Sequence, residues 1–223
     1  IDVDFFDYYA PTPLVSWYIK NYNLDGGIIL TASHNPPEYN GIKFNPANGA
    51  PAPSNVTKTL QNVANKYFDK PPKFKKVTLG KLKKINKDLE FAKDLINRCN
   101  CICAKKELKF KFKAIVDSKH GTSANIWNHL FNILKIKNQI IHSKPMPNFN
   151  EIEPNPTKLE HLEDLKQAAK KFSASIMIAN DPDGDRHVIL DETGRFISPE
   201  EICTIILEYF LSKKIKLKGI AST

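Results

Sequence analysis

Two apolar runs, each cut off by a loop of polar, proline and glycine residues, constrain this chain more than any other feature. Gly27-Ile28-Ile29-Leu30 gives way to Thr31-Ala32-Ser33-His34-Asn35-Pro36. Far downstream, Ala174-Ser175-Ile176-Met177-Ile178-Ala179 gives way to Asp181-Pro182-Asp183-Gly184-Asp185-Arg186. Short apolar runs bounded by turn residues read as buried strands, and a residue before proline is pushed out of the helical region. Both loops therefore sit at strand ends, and open α/β sheets bind ligands at the carboxyl ends of their strands.

The rest of the chain alternates strands with helices, a pattern that implies stacked α/β units with mainly parallel sheets. Thr12 caps and Pro13 opens a helix over Leu14 to Lys20, and Pro53-Ser54-Asn55 caps another that runs to about Tyr67 with Val56, Leu60, Val63, Ala64 and Tyr67 on one side. A lysine- and proline-rich connector, Asp69 to Lys84, leads to a helix near Asn86 to Asn97. A second βα pattern starts at about Lys109, with a strand over Phe112 to Asp117, a helix over Ala124 to Lys135 and a short strand over Gln139 to His142. Beyond a loop at Pro145 to Pro156 come a helix over Lys158 to Phe172, the acidic strand and loop, a return strand near Val188 to Leu190 and a helix over Pro199 to Leu211. Lys218 to Thr223 reads as a strand without its next element. The N-terminus lacks both Met and a signal pattern, which suggests a fragment.

The two loops carry the chemistry. A lone loop serine mostly makes local turn bonds, but Ser33 stands at a strand end inside the string Thr31-Ala32-Ser33-His34-Asn35-Pro36. Asp181, Asp183 and Asp185 repel one another unless a cation sits among them. Hard oxygen ligands indicate Mg²⁺ or Ca²⁺, and Mg²⁺ suits phosphoryl chemistry better. With Glu192 the aspartates also match positions 1, 3, 5 and 12 of an EF-hand loop, yet position 6 is Arg186 where glycine is needed and a strand precedes where a helix belongs. Arg186 is one of three arginines, with Arg98 and Arg195, and a guanidinium can pair bidentately with a phosphoryl group. Lys43 follows an Asn40-Gly41 turn that can return its ammonium toward Ser33, and a crowded lysine can have its pKa lowered for acid/base work. His34, beside the nucleophile, suggests a base, although neighbours on a loop usually point different ways.

Charge and cysteines exclude more than they assign. The net charge of +9 over 223 residues would suit a polyanion, but the lysines are scattered and no nucleic-acid motif accompanies them. No apolar run reaches membrane-spanning length. Cys99, Cys101 and Cys103 alternate as on a strand face and Cys203 stands apart, a set without zinc spacing. Free thiols and a reducing cytoplasm are the expectation.

The serine loop, the Gly41-Ile42-Lys43-Phe44-Asn45-Pro46 stretch and the acidic loop together resemble the active-site signature of the α-D-phosphohexomutases, and their flanks look like the phosphoglucomutase branch. The resemblance spans nearly the whole chain. It implies an α/β fold of tandem three-layer α/β/α domains with mainly parallel mixed sheets: a first domain over residues 1–108, a second over 109–191 and the start of a third from 192. It implies a phosphorylated Ser33, Mg²⁺ held by Asp181, Asp183, Asp185 and an oxygen on Ser33, and catalytic roles for Ser33, Lys43 and Arg186. His34, Asn35 and His120 would meet a hexose phosphate, although a turn histidine such as His120 is more often polar surface. Glucose 1-phosphate and glucose 6-phosphate would interconvert through glucose 1,6-bisphosphate. A phosphomannomutase or dual-specificity enzyme, and a catalytically silent sugar-phosphate-binding relative, are the alternatives. The sequence leaves the oligomeric state open.

Overall fold

The computed structural model describes residues 1–68, 70–71, 73, 80–102, 111–215 and 219. The first half comprises β1 (Val3–Phe6), α1 (Thr12–Asn21), β2 (Gly26–Leu30), β3 (Ile42–Pro46), α2 (Ser54–Phe68), β4 (Leu82–Ile85) and α3 (Asp88–Ile102). β1 pairs with β4 in parallel, and β2 with β3 antiparallel, in register from Gly26 opposite Pro46 to Leu30 opposite Ile42. Leu14, Tyr18 and Ile19 form the buried side of α1. Three of these strands, β1, β3 and β4, go beyond the sequence reading. β1 and β4 are four residues each, with one and two polar residues respectively, too short for a period-2 pattern to stand out. Half of the connector Asp69 to Lys84 lies outside the described residues, and its end is strand β4.

The second half begins with β5 (Lys113–Asp117), α4 (Ala124–Leu134) and β6 (Lys137–Ile141), followed by short 3₁₀ turns at Phe149–Glu151 and Leu159–Leu162. α5 (Glu163–Phe172), β7 (Ile176–Asn180), β8 (His187–Asp191), β9 (Phe196–Ile197) and α6 (Pro199–Ser212) complete it. Five strands form one sheet in the order β6-β5-β7-β8-β9, parallel around β5 and antiparallel from β7 to β9. The sheet ends at Ile197, past residue 191 where the sequence reading closed its second unit. Alternation along β5 builds the layers, because successive side chains leave opposite faces of a strand. Ile115 joins Leu162, Leu165 and Ala169 under α5, while Ala114 and Val116 join Phe131 and Ile136 under α4. Such a strand, covered on both faces, reads as a continuous apolar run for that reason.

The two halves meet through Leu14 of α1, Phe91 of α3 and Ile126 of α4, a small buried cluster. α4 and α5 end on left-handed caps at Lys135 and Ser173, although glycine is the usual residue there, and Ser198 with Glu201 closes a capping box ahead of α6. Cys99 and Cys101 lie on α3 and not on a strand. Cys99 and Cys203 are exposed free thiols, and Cys103 lies outside the described residues, as does the strand expected at 218–223 apart from Gly219. No described helix is long and apolar enough to cross a membrane.

Ile115 is fully buried at the sheet centre, whereas Leu60 on α2 is 47% exposed. Ile115→Ala is expected to lower unfolding free energy by about 2–5 kcal/mol and Leu60→Ala by about 0.5 kcal/mol, read from urea denaturation. Equal losses would show that the core is not centred on β5.

Candidate active site

Residues from four separate elements converge on the loop between β7 and β8. That loop, 181–186, is the turn of a hairpin whose last pair is Asn180 with His187. Gly184 adopts φ 73° and donates its N–H to the Asp181 carbonyl at 3.0 Å, a left-handed turn that suits glycine. The turn brings one carboxylate oxygen from each of Asp181, Asp183 and Asp185 within 4.8 Å of one another. The strands on either side rule out the EF-hand reading, which needs helices there.

Asp183 is the best-connected of the three. Its Oδ2 accepts from Thr12 Oγ1 at 3.1 Å, Thr31 Oγ1 at 3.1 Å and Lys43 Nζ at 2.8 Å. Burial opposes its ionisation, yet Lys43, Thr12 and Thr31 outweigh burial and hold it below the usual carboxylate range. Its Oδ1 is buried without any donor. A buried carboxylate oxygen left open, beside two further carboxylates, fits a small hard cation. Asp181 is fully buried and accepts from the Arg186 N–H at 3.0 Å. Burial first, and then the Asp183 charge, push its carboxyl up to about 7.

Ser33 reaches this cluster from the end of β2. Its hydroxyl lies 3.4 Å from Asp181 Oδ2 and 3.3 Å from His34 Nδ1. Its backbone is left-handed, with φ 59°, a conformation that costs a non-glycine residue about 1–2 kcal/mol. Thr31 stabilises it: the Thr31 hydroxyl accepts the Ser33 N–H at 2.8 Å while donating to Asp183. Lys43 stands opposite Ile29 on the hairpin and bridges Asp183 and Asp185 at 2.8 and 2.9 Å. Burial lowers its pKa, but the two carboxylates prevail and raise it. That corrects the expected lowering: Lys43 is held as an ammonium. Arg186 Nη1 lies 2.6 Å from His34 Nδ1. A guanidinium only donates, so that histidine nitrogen is occupied as an acceptor and does not serve Ser33 as a base.

The expected residues thus fall on one place. Ser33, Asn35 and His120 line a cavity of about 350 Å³ together with Tyr9, Tyr39 and Met146, while Lys43 reaches Asp183 and Asp185 of the acidic loop and Arg186, its last residue, reaches His34. Across the cavity, Gly121 packs so closely on the acidic loop that a Cβ there would sit 2.2 Å from the Pro182 carbonyl oxygen. Thr122 donates to the same oxygen through N–H and Oγ1 at 2.8 and 3.0 Å. Thr12 and Thr31 are the functional residues that the sequence reading missed. Thr12 makes no helix-capping bond and holds Asp183 instead, a long-range role without a local signal. Thr31 lay inside the serine motif but had no stated partner.

Comparison with known proteins places this geometry. Residues 1–70 match the family model described as phosphoglucomutase/phosphomannomutase, alpha/beta/alpha domain I, and residues 89–194 match domain II of the same family. A probable phosphoglucosamine mutase of Pyrococcus abyssi is 34% identical over 96% of the chain and 45% of its own length. A phosphoglucomutase/phosphomannomutase of Thermococcus kodakarensis is 30% identical over 91% of the chain and 43% of its own. The chain therefore spans less than half the length of these relatives. Among solved structures, a putative phosphomannomutase from Thermus thermophilus shares the fold at TM-score 0.78 and 24% identity, over 96% of this chain and 47% of that one. Parafusin, a phosphoglucomutase from Paramecium in its open form, aligns at TM-score 0.70 and 26% identity, over 89% and 42%.

The Asp181 carboxyl gives a pH prediction. Its folded value of about 7 lies above the roughly 4 of an unfolded carboxyl. Between those values the folded chain holds the extra proton, so stability falls as pH rises through that window. In EDTA the Tm is expected to drop from pH 5 to pH 7.5, Mg²⁺ to restore it at pH 7.5, and Asp181→Asn to flatten the slope. A Tm that climbs over this range in the unsubstituted chain, with no response to Mg²⁺, would contradict the site.

Proposed function

Because the chain belongs to the phosphoglucomutase/phosphomannomutase family, we propose that it carries the phosphoryl-transfer half of a hexose-phosphate mutase. The observation that carries the reading is the 3.4 Å approach of Ser33 Oγ to Asp181, 148 residues away in sequence. Ser33 serves as the phosphoryl carrier. Asp181, Asp183 and Asp185, with an oxygen at Ser33, would hold Mg²⁺, which when bound offsets charge on the transferred group. In transfer from phosphoserine, the attacking sugar hydroxyl forms the new bond to phosphorus as the bond to Ser33 Oγ breaks. Lys43, held as an ammonium, supplies the proton that the serine oxygen takes up, and as an amine it accepts the proton of the attacking hydroxyl. Arg186 and His34 stand beside the phosphoryl position, where the guanidinium can pair with phosphoryl oxygens. Asn35 and His120 meet the hexose in the cavity.

Glucose 1-phosphate and glucose 6-phosphate, exchanged through glucose 1,6-bisphosphate, are the substrate pair of this reading. The names of the archaeal relatives favour glucosamine phosphates as a second pair. The domain division at residues 108 and 191 and a cytoplasmic setting belong to the same proposal. A silent relative is disfavoured by the complete set of Ser33, Lys43 and three aspartates.

Incubation with glucose 1,6-bisphosphate and Mg²⁺ is expected to place one phosphate on the peptide containing Ser33, as read by mass spectrometry. Ser33→Ala should take up none, and Asp183→Ala should slow uptake by about 100-fold or more. The chain alone should show no sustained mutase turnover, because none of the described residues outside this site forms a grip for a second phosphate. Phosphate found reproducibly on another residue would overturn the assignment.

A further inference from the structure

Under the wall of the cavity lies a second charged cluster that phosphoryl transfer does not use. Asp117, at the end of β5, is fully buried and accepts from the Lys119 N–H and from His142 Nδ1, each at 2.8 Å. Lys119 is buried as well; its Nζ stands 3.4 Å from the other Asp117 oxygen and donates to the His161 carbonyl at 2.7 Å. His142 Nε2 lies 3.8 Å from the exposed carboxylate of Asp164. Burial opposes ionisation of Asp117, and His142 and Lys119 outweigh it. A buried ion pair is weak evidence of stabilisation, because desolvation offsets the attraction. The cluster calls for another purpose.

Its neighbour supplies one. The His142 ring packs on the His120 ring, with centroids 4.9 Å apart and planes tilted by 38°. The His120 N–H donates to the His142 carbonyl at 2.9 Å, and His120 Nδ1 donates to the Lys144 carbonyl at 2.8 Å. His120 Nε2 is buried and has no protein partner, and the Lys144 carbonyl and the His142 ring set the orientation of the imidazole. Lys119, His120 and His142 all have left-handed backbones, with φ 47°, 52° and 47°. Such conformations persist where the surroundings over-determine them. The turn that reading the sequence leaves as polar surface is thus a fixed part of the cavity wall facing Ser33.

We infer that Asp117 and His142 are positioning residues for the hexose phosphate, holding the His120 ring in the cavity wall so that they set substrate affinity and not the rate of transfer. This rests on the mutase reading above. The test measures uptake of phosphate by Ser33 against glucose 1,6-bisphosphate concentration, which separates half-saturation from maximal rate. His142→Ala and Asp117→Ala should each raise the half-saturating concentration about tenfold, with maximal rates within about twofold. The double variant should be no worse than either single one, as residues on one path are non-additive. His142→Phe keeps a ring against His120 and should recover to within about threefold of the unsubstituted chain. His120→Asn, which tolerates the left-handed backbone, should reproduce the affinity loss and decides the matter if the alanine variants do not fold. Unchanged half-saturation in His120→Asn or in folded His142→Ala, or loss confined to maximal rate, overturns the inference while leaving the mutase reading intact. No phosphate uptake by the unsubstituted chain overturns both.

Discussion

The arrangement depends on one carboxylate. Asp183 draws the helix start through Thr12, the serine loop through Thr31 and the hairpin arm through Lys43 to a single oxygen. Each of those contacts crosses at least 140 residues of sequence. A buried carboxylate with three donors on one oxygen and none on the other is poised between two demands: organising the protein around it and offering its free side to a cation. The apolar cluster of Leu14, Phe91 and Ile126 brings the halves together, but it lacks direction. Hydrogen bonds to Asp183 set which loop faces which.

Much of this was legible because chemistry and fold share the same short strings. The runs ending at Leu30 and Ala179 announced buried strands and their loops at once, and both loops meet as expected. The second half was read nearly element by element, since β5 and β7 are covered on both faces and therefore apolar throughout. The first half was harder. β3 carries Lys43 and ends in proline, so its alternation is obscured, and β1 and β4 acquire strand character from pairing with each other across some 80 residues rather than from their own composition. Thr12 illustrates the remaining limit. A threonine ahead of a proline at a helix start looks like a cap, and only the tertiary structure reveals a donor committed to a distant aspartate.

The close approach of Gly121 to Pro182 joins the cavity wall to the acidic loop without intervening side chains. His120 belongs to that wall, with Asp117 and His142 behind it, and the three carboxylates of the acidic loop lie on the other side of the Gly121–Pro182 contact. The turn after β5 and the acidic loop thus touch backbone to backbone at the end of one sheet, while Ser33 arrives on a separate hairpin.

That hairpin has a property of its own. Ser33 follows β2 and Lys43 lies on β3, so the serine hydroxyl and the lysine amine ride on two limbs of one hairpin whose pairing runs from Leu30 opposite Ile42 to Gly26 opposite Pro46. Side chains along a strand alternate in parity, and a one-residue slip reverses every one. Thr31 and Ser33 are tied to the acidic loop by their own hydrogen bonds, so only the length between Pro36 and Asn40 can vary with both the serine and the lysine still in place. An insertion of a single residue within β3 ahead of Lys43, however conservative in character, would turn the amine to the opposite face, so odd counts are forbidden in the strand while the far end of the loop is free of that parity rule.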